Sequence, residues 1–309
     1  MITTVTLNAS IDKAYYMEKI IENGTVMRVA AVRNTAGGKG LNVARNVKLC
    51  GEKVHATGLV GGYNGKYLES LLKKDEITYE FEHIKGETRS CINILDPKYK
   101  STEYLEPGCE VSAEEEKSFL AHFPEIIKDS DVVTLSGSVP KGISKGIYRK
   151  LVELAKKSGT QVILDTSGEL LEQGMEGIPT MVKPNQDELE LLFHTKIESR
   201  EQVISYAKEI HAKGIPYVVI SLGGEGALLV CDKGVFQGIP PKVEVENTVG
   251  CGDSMVAAFA VAFSRKYEPK EALAYAVSVA TANAMSPNTG DFDPAVSEEL
   301  KKKVQMIEL

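Results

Sequence analysis

The sequence predicts an α/β fold, a doubly wound and mostly parallel sheet covered by helices on both faces, with a small β-sheet lid. Three observations carry this. Short β-rich runs alternate with amphipathic stretches along most of the chain. Two regions break that alternation with strand-like segments alone, and 309 residues are enough to bury one large core with an appendage.

Taken in order, residues 2–8, 53–60, 131–135, 161–165, 179–183 and 217–221 read as strands, and 40–50, 64–74, 113–127, 144–157, 185–193 and 200–213 read as helices. Strand and helix in turn is the pattern of parallel strands joined by crossovers. The breaks are 13–34 and 88–107, where a segment such as Ser90-Cys91-Ile92-Asn93-Ile94-Leu95 stands without intervening helices. These two are expected to pair as a lid inserted into one α/β unit made of 1–12, 35–87 and 108–309. Residues 226–246 read as short antiparallel strands. Helices over 255–265 and 270–285 follow, with a terminal helix near 296–306. No internal repeat or low-complexity linker interrupts the chain.

The apolar and charged fractions, 43% and 26%, are those of an ordinary globular protein, and no stretch is long and apolar enough to span a bilayer. Residues 1–7 lack a basic leader followed by an apolar run, so a cytoplasmic location without membrane contact is expected. Five widely spaced cysteines without a C-x-x-C pair read as reduced thiols. A net charge of −7 argues against general affinity for nucleic acid, so any anionic ligand must be held by a few local cations and backbone amides.

The sharpest local feature is Asn247-Thr248-Val249-Gly250-Cys251-Gly252-Asp253-Ser254, which leads into a helix. Small residues there let backbone N–H groups approach an anion at the positive end of the helix. A carboxylate beside them can accept a hydroxyl proton during phosphoryl transfer, or Asp253 can simply cap the helix. A second cluster, Thr35-Ala36-Gly37-Gly38-Lys39-Gly40-Leu41-Asn42, also opens a helix. It fails as a Walker P-loop, since Gly40 follows Lys39 where Ser or Thr is needed and Arg33 replaces the first glycine. Its alternatives are a glycine-lined sugar site with Asn42 and Lys39 as donors, or a plain helix start.

Ser221-Leu222-Gly223-Gly224-Glu225-Gly226 can wrap nucleotide phosphates or form a hairpin turn. Lys183-Pro184-Asn185-Gln186-Asp187-Glu188 sets Asn185 and Glu188 one helical turn apart. They can order magnesium-bound water or form a capping box. Asp12 and Arg89 carry no local motif. The histidines show no H-E-x-x-H, and neither G-x-S-x-G nor a G-x-G-x-x-G after the first strand occurs. Metal sites beyond magnesium, serine hydrolases and Rossmann dehydrogenases are therefore disfavoured.

In order, Asn8-Ala9-Ser10-Ile11-Asp12, Ala36 to Ala44, Ser136-Gly137-Ser138-Val139-Pro140, Lys183-Pro184-Asn185, Ser221-Leu222-Gly223 and Thr248 to Ser254 resemble the PfkB (ribokinase-like) carbohydrate kinases from residue 2 to about 290. Lys39 and Lys85-Gly86-Glu87-Thr88-Arg89 make the chain look most like the ketohexose-phosphate branch, the 1-phosphofructokinases and tagatose-6-phosphate kinases. The resemblance implies transfer of the γ-phosphoryl group of ATP to fructose 1-phosphate or tagatose 6-phosphate, with magnesium. Asp253 would be the base, and Gly250, Cys251 and Gly252 would stabilise the moving phosphoryl group.

It further implies that Asp12, Gly37, Gly38 and Asn42 line the sugar, and that Lys39, Arg89, Ser138 and Arg28 hold its phosphate. Lys183, Asn185, Ser221, Gly223, Gly226, Gly250 and Asn283 would line ATP, with Asn185 and Glu188 serving the metal through water. A homodimer through the lid is expected. Rival readings are a family kinase for another sugar, such as fructose 6-phosphate, for an unphosphorylated sugar or for a nucleoside, and a non-catalytic sugar-phosphate sensor. Two residues depart from the family pattern, Cys251 where Ala is usual and Asn247 where Asp or Ser is usual. At a helix N-terminus the Cys251 thiolate is expected to be favoured and open to alkylation.

Overall fold

All five residues of Ile2–Thr6 (β1) are buried, as a strand in the middle of a sheet covered on both faces requires. The computed structural model describes residues 1–98 and 101–309. In it β1 lies between two parallel neighbours, Val54–Gly61 (β4) and Val132–Ser136 (β8), with Ile2 opposite Val54 and Val132. Beyond β4 lies Thr78–Ile84 (β5). Beyond β8 follow Gln161–Asp165 (β9), Met181–Val182 (β10) and Tyr217–Ser221 (β11), all parallel. Antiparallel Ala227–Cys231 (β12), Gly234–Ile239 (β13) and Gln305–Glu308 (β14) finish that edge.

Side chains alternate between two cores, as the two-residue period of a strand dictates. In β11, Val218 and Ile220 join one apolar cluster and Val219 the other. One face is covered by Lys39–Leu49 (α1), Gly62–Lys74 (α2), Cys251–Ser264 (α8), Pro269–Ala284 (α9) and Pro294–Lys301 (α10). The other carries Ala113–Ile126 (α3), Ile147–Lys157 (α4), Glu169–Met175 (α5), Gln186–Phe193 (α6) and Arg200–Ala212 (α7). The chain runs outward from β1 through β4 to β5, then returns to β8 on the other side of β1. This reversal is a topological switch point, and ligands of open α/β sheets bind outside the carboxyl ends of strands at such a point.

Helix α1 sits directly on the end of β1. A Cβ on Gly40 would stand 2.5 Å from the Val5 carbonyl oxygen and 2.3 Å from Thr6 Oγ1, so only glycine permits this approach. Ser10–Tyr16 (β2), Ala31–Gly37 (β3), Arg89–Leu95 (β6) and Thr102–Leu105 (β7) form the second sheet, in the order β3-β2-β6-β7. Strand β2 starts at Ser10 and β3 ends at Gly37, so both join this sheet directly to the glycine cluster of α1.

The C-terminus departs from expectation. The terminal helix ends at Lys301, and the chain turns to pair Gln305–Glu308 with β13. Within 226–246 only β12 and β13 are strands. The sequence reading also missed β5 and α5. Strand β5 lies at the sheet edge, where Glu80 and Glu82 alternate with Phe81. Helix α5 is short and contains Gly174, whose added Cβ would lie 2.6 Å from Leu164 Cδ2, so close packing there outweighs helix propensity.

Candidate active site

Three sets of residues meet in a cavity of about 540 Å³ between the carboxyl ends of the parallel strands and the lid. The strands supply Asp165 at the end of β9, Lys183 just after β10 and Ser221 at the end of β11. The N-termini of α1 and α8 supply Gly38, Lys39, Asn42, Gly250, Gly252 and Asp253. The lid supplies Ser10, Asp12 and Arg89.

Helix α8 begins at Gly250, whose φ of 86° is left-handed and suits glycine. The Cys251 amide donates to the Thr248 carbonyl and the Ser254 amide to the Gly250 carbonyl. Among the described residues the amides of Gly252 and Asp253 have no partner, which leaves two donors at the positive end of the helix. Asn247 Oδ1 accepts the Val249 amide at 2.9 Å, so the amide at this departure from the family pattern shapes the turn.

Asp253 is buried, and Asn42 Nδ2 donates to its Oδ2 at 2.9 Å. Burial and the nearby Asp165 carboxylate push its carboxyl up to about 6, against the opposing pull of Lys39, Asn42 and Lys183. A base with such a value is ionised at neutral pH and holds a proton more tightly than an exposed aspartate. Asp165 was not singled out from the sequence, yet it organises the cations of the site. Its Oδ1 lies 3.1 Å from Lys183 Nζ and its Oδ2 3.7 Å from Lys39 Nζ. Burial alone would raise its carboxyl, but the two lysines hold it below the usual carboxylate range. Asp165 in turn is the main cause that raises Lys39. A lone Asp at a strand end carries no motif, so only the fold could bring it forward.

On the lid side, burial raises the Asp12 carboxyl, while Ser10 Oγ donates to its Oδ1 at 2.6 Å. Gly37 makes room for Asp12, since a Cβ there would meet the carboxylate at 2.0 Å. Arg89 gives its guanidinium to backbone, donating to the Asn8 carbonyl at 3.0 and 3.3 Å and to the Glu106 carbonyl at 2.7 Å. Asn185 and Glu188 line the cavity and also form the capping box of α6. Asn185 Oδ1 accepts from the Glu188 amide at 2.7 Å, and Glu188 Oε2 accepts from the Asn185 amide at 2.9 Å. The capping box expected of this pair is present, and it stands on the cavity wall.

Six expected residues line neither this cavity nor the smaller pocket beside it, Gly37 and Cys251 among them. Arg28 is exposed and outside the cavity lining. Ser138 is outside it too, its Oγ accepting from Asn8 Nδ2 at 3.2 Å. Gly226 forms the turn into β12, where a Cβ would be 1.9 Å from the Gly238 carbonyl oxygen. Asn283 is fully buried, accepting from Ser254 Oγ and donating to the Val249 carbonyl, and so braces the α8 turn from behind. Gly223 lines a smaller pocket of about 220 Å³ that shares Asn185 and Ser221 with the main one.

The expectation for Cys251 is corrected. Burial pushes its thiol up, and Asn283 Nδ2 approaches the sulfur at 3.4 Å. Desolvation outweighs the helix N-terminus here. Iodoacetamide at pH 7.5 is expected to label Cys251 more slowly than free cysteine, as peptide mapping over time would read. Faster labelling would restore the reactive thiolate.

Residues 5–295 match the model of the pfkB family carbohydrate kinases. The chain belongs to that family. It is 37% identical over 313 residues, covering 100% of both chains, to tagatose-6-phosphate kinase of Staphylococcus epidermidis. Among solved structures it is similar to phosphofructokinase-2 from Escherichia coli in complex with potassium, at 29% identity and a TM-score of 0.92 over 98% of each chain. It is also similar to a possible 1-phosphofructokinase from Thermotoga maritima, at 27% identity and a TM-score of 0.87 over 100% of this chain and 99% of that one. The fold is the ribokinase-like one. The enzyme is a phosphotransferase with an alcohol acceptor, a sugar-phosphate kinase of a family that uses ATP. Among the described residues no helix is long and apolar enough to cross a membrane.

Proposed function

We propose that this pfkB kinase transfers the γ-phosphoryl group of ATP to the free hydroxymethyl group of tagatose 6-phosphate, giving tagatose 1,6-bisphosphate, with Asp253 as general base. The observation that carries the chemistry is a buried carboxylate, raised to about 6, beside two unpartnered amides in the cavity. Asp253 takes the hydroxyl proton as the oxygen bonds to the γ-phosphorus and the bond to the bridging oxygen of ADP breaks. The Gly252 and Asp253 amides meet the charge on the phosphoryl oxygens. Asp12, Gly38 and Asn42 are read as the sugar contacts, and Lys39 and Arg89 as cations on the substrate phosphate. Lys183 and Ser221 are read as nucleotide contacts.

Among the described residues no group of three His, Cys, Asp or Glu can hold a metal. Glu188 lines the cavity with only Oε2 engaged in the capping box, so Asn185 and Glu188 suit magnesium carried by the nucleotide and reached through water. The choice of tagatose 6-phosphate over fructose 1-phosphate rests on the full-length likeness to the staphylococcal kinase. Release of ADP with tagatose 6-phosphate, fructose 1-phosphate, fructose 6-phosphate, unphosphorylated tagatose and ribose tests it. The highest kcat/KM is expected with tagatose 6-phosphate, and a higher value with any other sugar would replace that substrate.

The dimer through the lid belongs to the same reading. Edge strands β3 and β7 leave Val32, Tyr104 and Leu105 50%, 58% and 64% exposed, an apolar margin suited to a second copy. A monomer mass by light scattering at micromolar concentration would contradict it.

A further inference from the structure

We infer that Arg33, on the lid, binds the phosphate of the sugar substrate and so sets the preference for a phosphorylated acceptor. This rests on the sugar-phosphate reading above.

The inner face of the lid is a grid of cross-strand rows. Ser10 lies opposite Gly37 and Arg89, and Asp12 opposite Thr35 and Cys91. Ala14 lies opposite Arg33 and Asn93, and Asn93 opposite Glu103. Arg33, Ala14, Asn93 and Glu103 thus form one row, and all four line the cavity. Ala14 keeps the middle of the row open. With strands about 4.8 Å apart, the backbones of Arg33 and Glu103 are about 14 Å apart, so the row is positive at the β3 edge and negative at the β7 edge. An anion entering the cavity is drawn to the β3 edge. Arg33 is a diagonal neighbour of Asp12, about 7–8 Å away at the backbone, a span that a ketohexose phosphate can bridge.

Arg89, Lys39 and Lys183, which also line the cavity, each hold protein partners besides any ligand they contact. Arg89 donates three bonds to backbone carbonyls. Lys39 and Lys183 share Asp165. Arg45, close enough to Arg33 for their charges to repel, is held by Asn42, the Ala36 carbonyl and Asp75. Arg33 is exposed, and among the described residues it makes no hydrogen bond or ion pair. Lys13 also lines the cavity, one residue before Ala14 on β2 and so off the row that carries Arg33. A guanidinium without a partner beside an open polar row is a ready receptor for a phosphate monoester.

Arg33→Gln and Arg33→Lys, assayed for ADP release with each substrate varied in turn, test the assignment. Arg33→Gln is expected to raise KM for the sugar phosphate about tenfold or more, the loss of a charge-assisted contact, with Arg33→Lys intermediate. KM for ATP, the rate with the unphosphorylated sugar and the melting temperature should stay near wild type. An unchanged KM for the sugar phosphate, or a rise in KM for ATP in its place, overturns the assignment. The wild-type substrate panel decides the underlying reading separately. If wild type acts only on an unphosphorylated sugar, both fall. If it acts on any sugar phosphate, the ratio of variant to wild type with that substrate decides Arg33 alone.

Discussion

Asp253→Ala is expected to lower kcat by about 10²–10⁴-fold with KM for ATP changed less than about threefold. The reason is positional. Asp253 is held by Asn42 from α1 and by the first turn of α8, and the nucleotide contacts proposed above come from other elements. A loss below about tenfold is less than a general base supplies and would remove Asp253 from that role.

The same carboxylate carries an opposite prediction for stability. A carboxyl raised to about 6 favours its neutral form in the folded chain. Its contribution to stability is therefore greatest below about pH 4 and is lost as pH rises through about 6. At pH 7.5 the ionised group weakens the fold by about 2–3 kcal/mol, the cost of ionising a carboxyl raised from 3.8 to about 6. Asp253→Asn should thus melt several degrees above wild type at pH 7.5 while nearly inactive, and the gap should close at pH 4. An Asn variant that melts below wild type at pH 7.5 would contradict the burial cost.

Asp165→Asn is the second large effect. The change strands Lys183, which is 5% exposed, and frees Lys39. Removing one partner of a buried ion pair costs about 3–5 kcal/mol, which implies a melting temperature lower by about 10 °C. The rate should fall by about tenfold or more at a temperature where the variant is folded, because both lysines lose their fixed place beside Asp253. Asp165 also raises Asp253, so the acid limb of kcat should move to lower pH. A purely structural role would lower the melting temperature and leave that limb in place. Unchanged stability together with an unchanged limb would remove Asp165 from the account.

Much of this was legible in the sequence because local rules and global fold agree. The strands of the parallel sheet alternate with amphipathic helices, and Gly250 and Gly38 mark two of the helix starts that reach the cavity. The cap at Asn185 and Glu188 was legible for the same reason, since its geometry spans only three residues. What was hidden depends on long-range approach. Asp165 acquires its role only when β9 is set beside β10 and α1, and Arg33 only when β3 pairs with β2. The last strand, Gln305–Glu308, owes its conformation to β13 and not to its own four residues. Asn283 and Cys251 show the reverse case. Both sit at the right place along the chain, but tertiary packing makes Asn283 a brace of the α8 turn and raises the Cys251 thiol by desolvation.

The most direct test of Asp253 as base is kcat at saturating ATP and sugar phosphate from pH 4.5 to 9, for wild type and Asp253→Asn together. Sugar phosphates themselves ionise near pH 6, so wild type alone is ambiguous, but that ionisation persists in the variant. Wild type is expected to rise through about pH 6 to a plateau above 7. The variant should stay at least a hundredfold lower and lose the part of the limb that belongs to the enzyme. A variant that keeps more than a tenth of the plateau rate with the same limb would contradict proton transfer to Asp253.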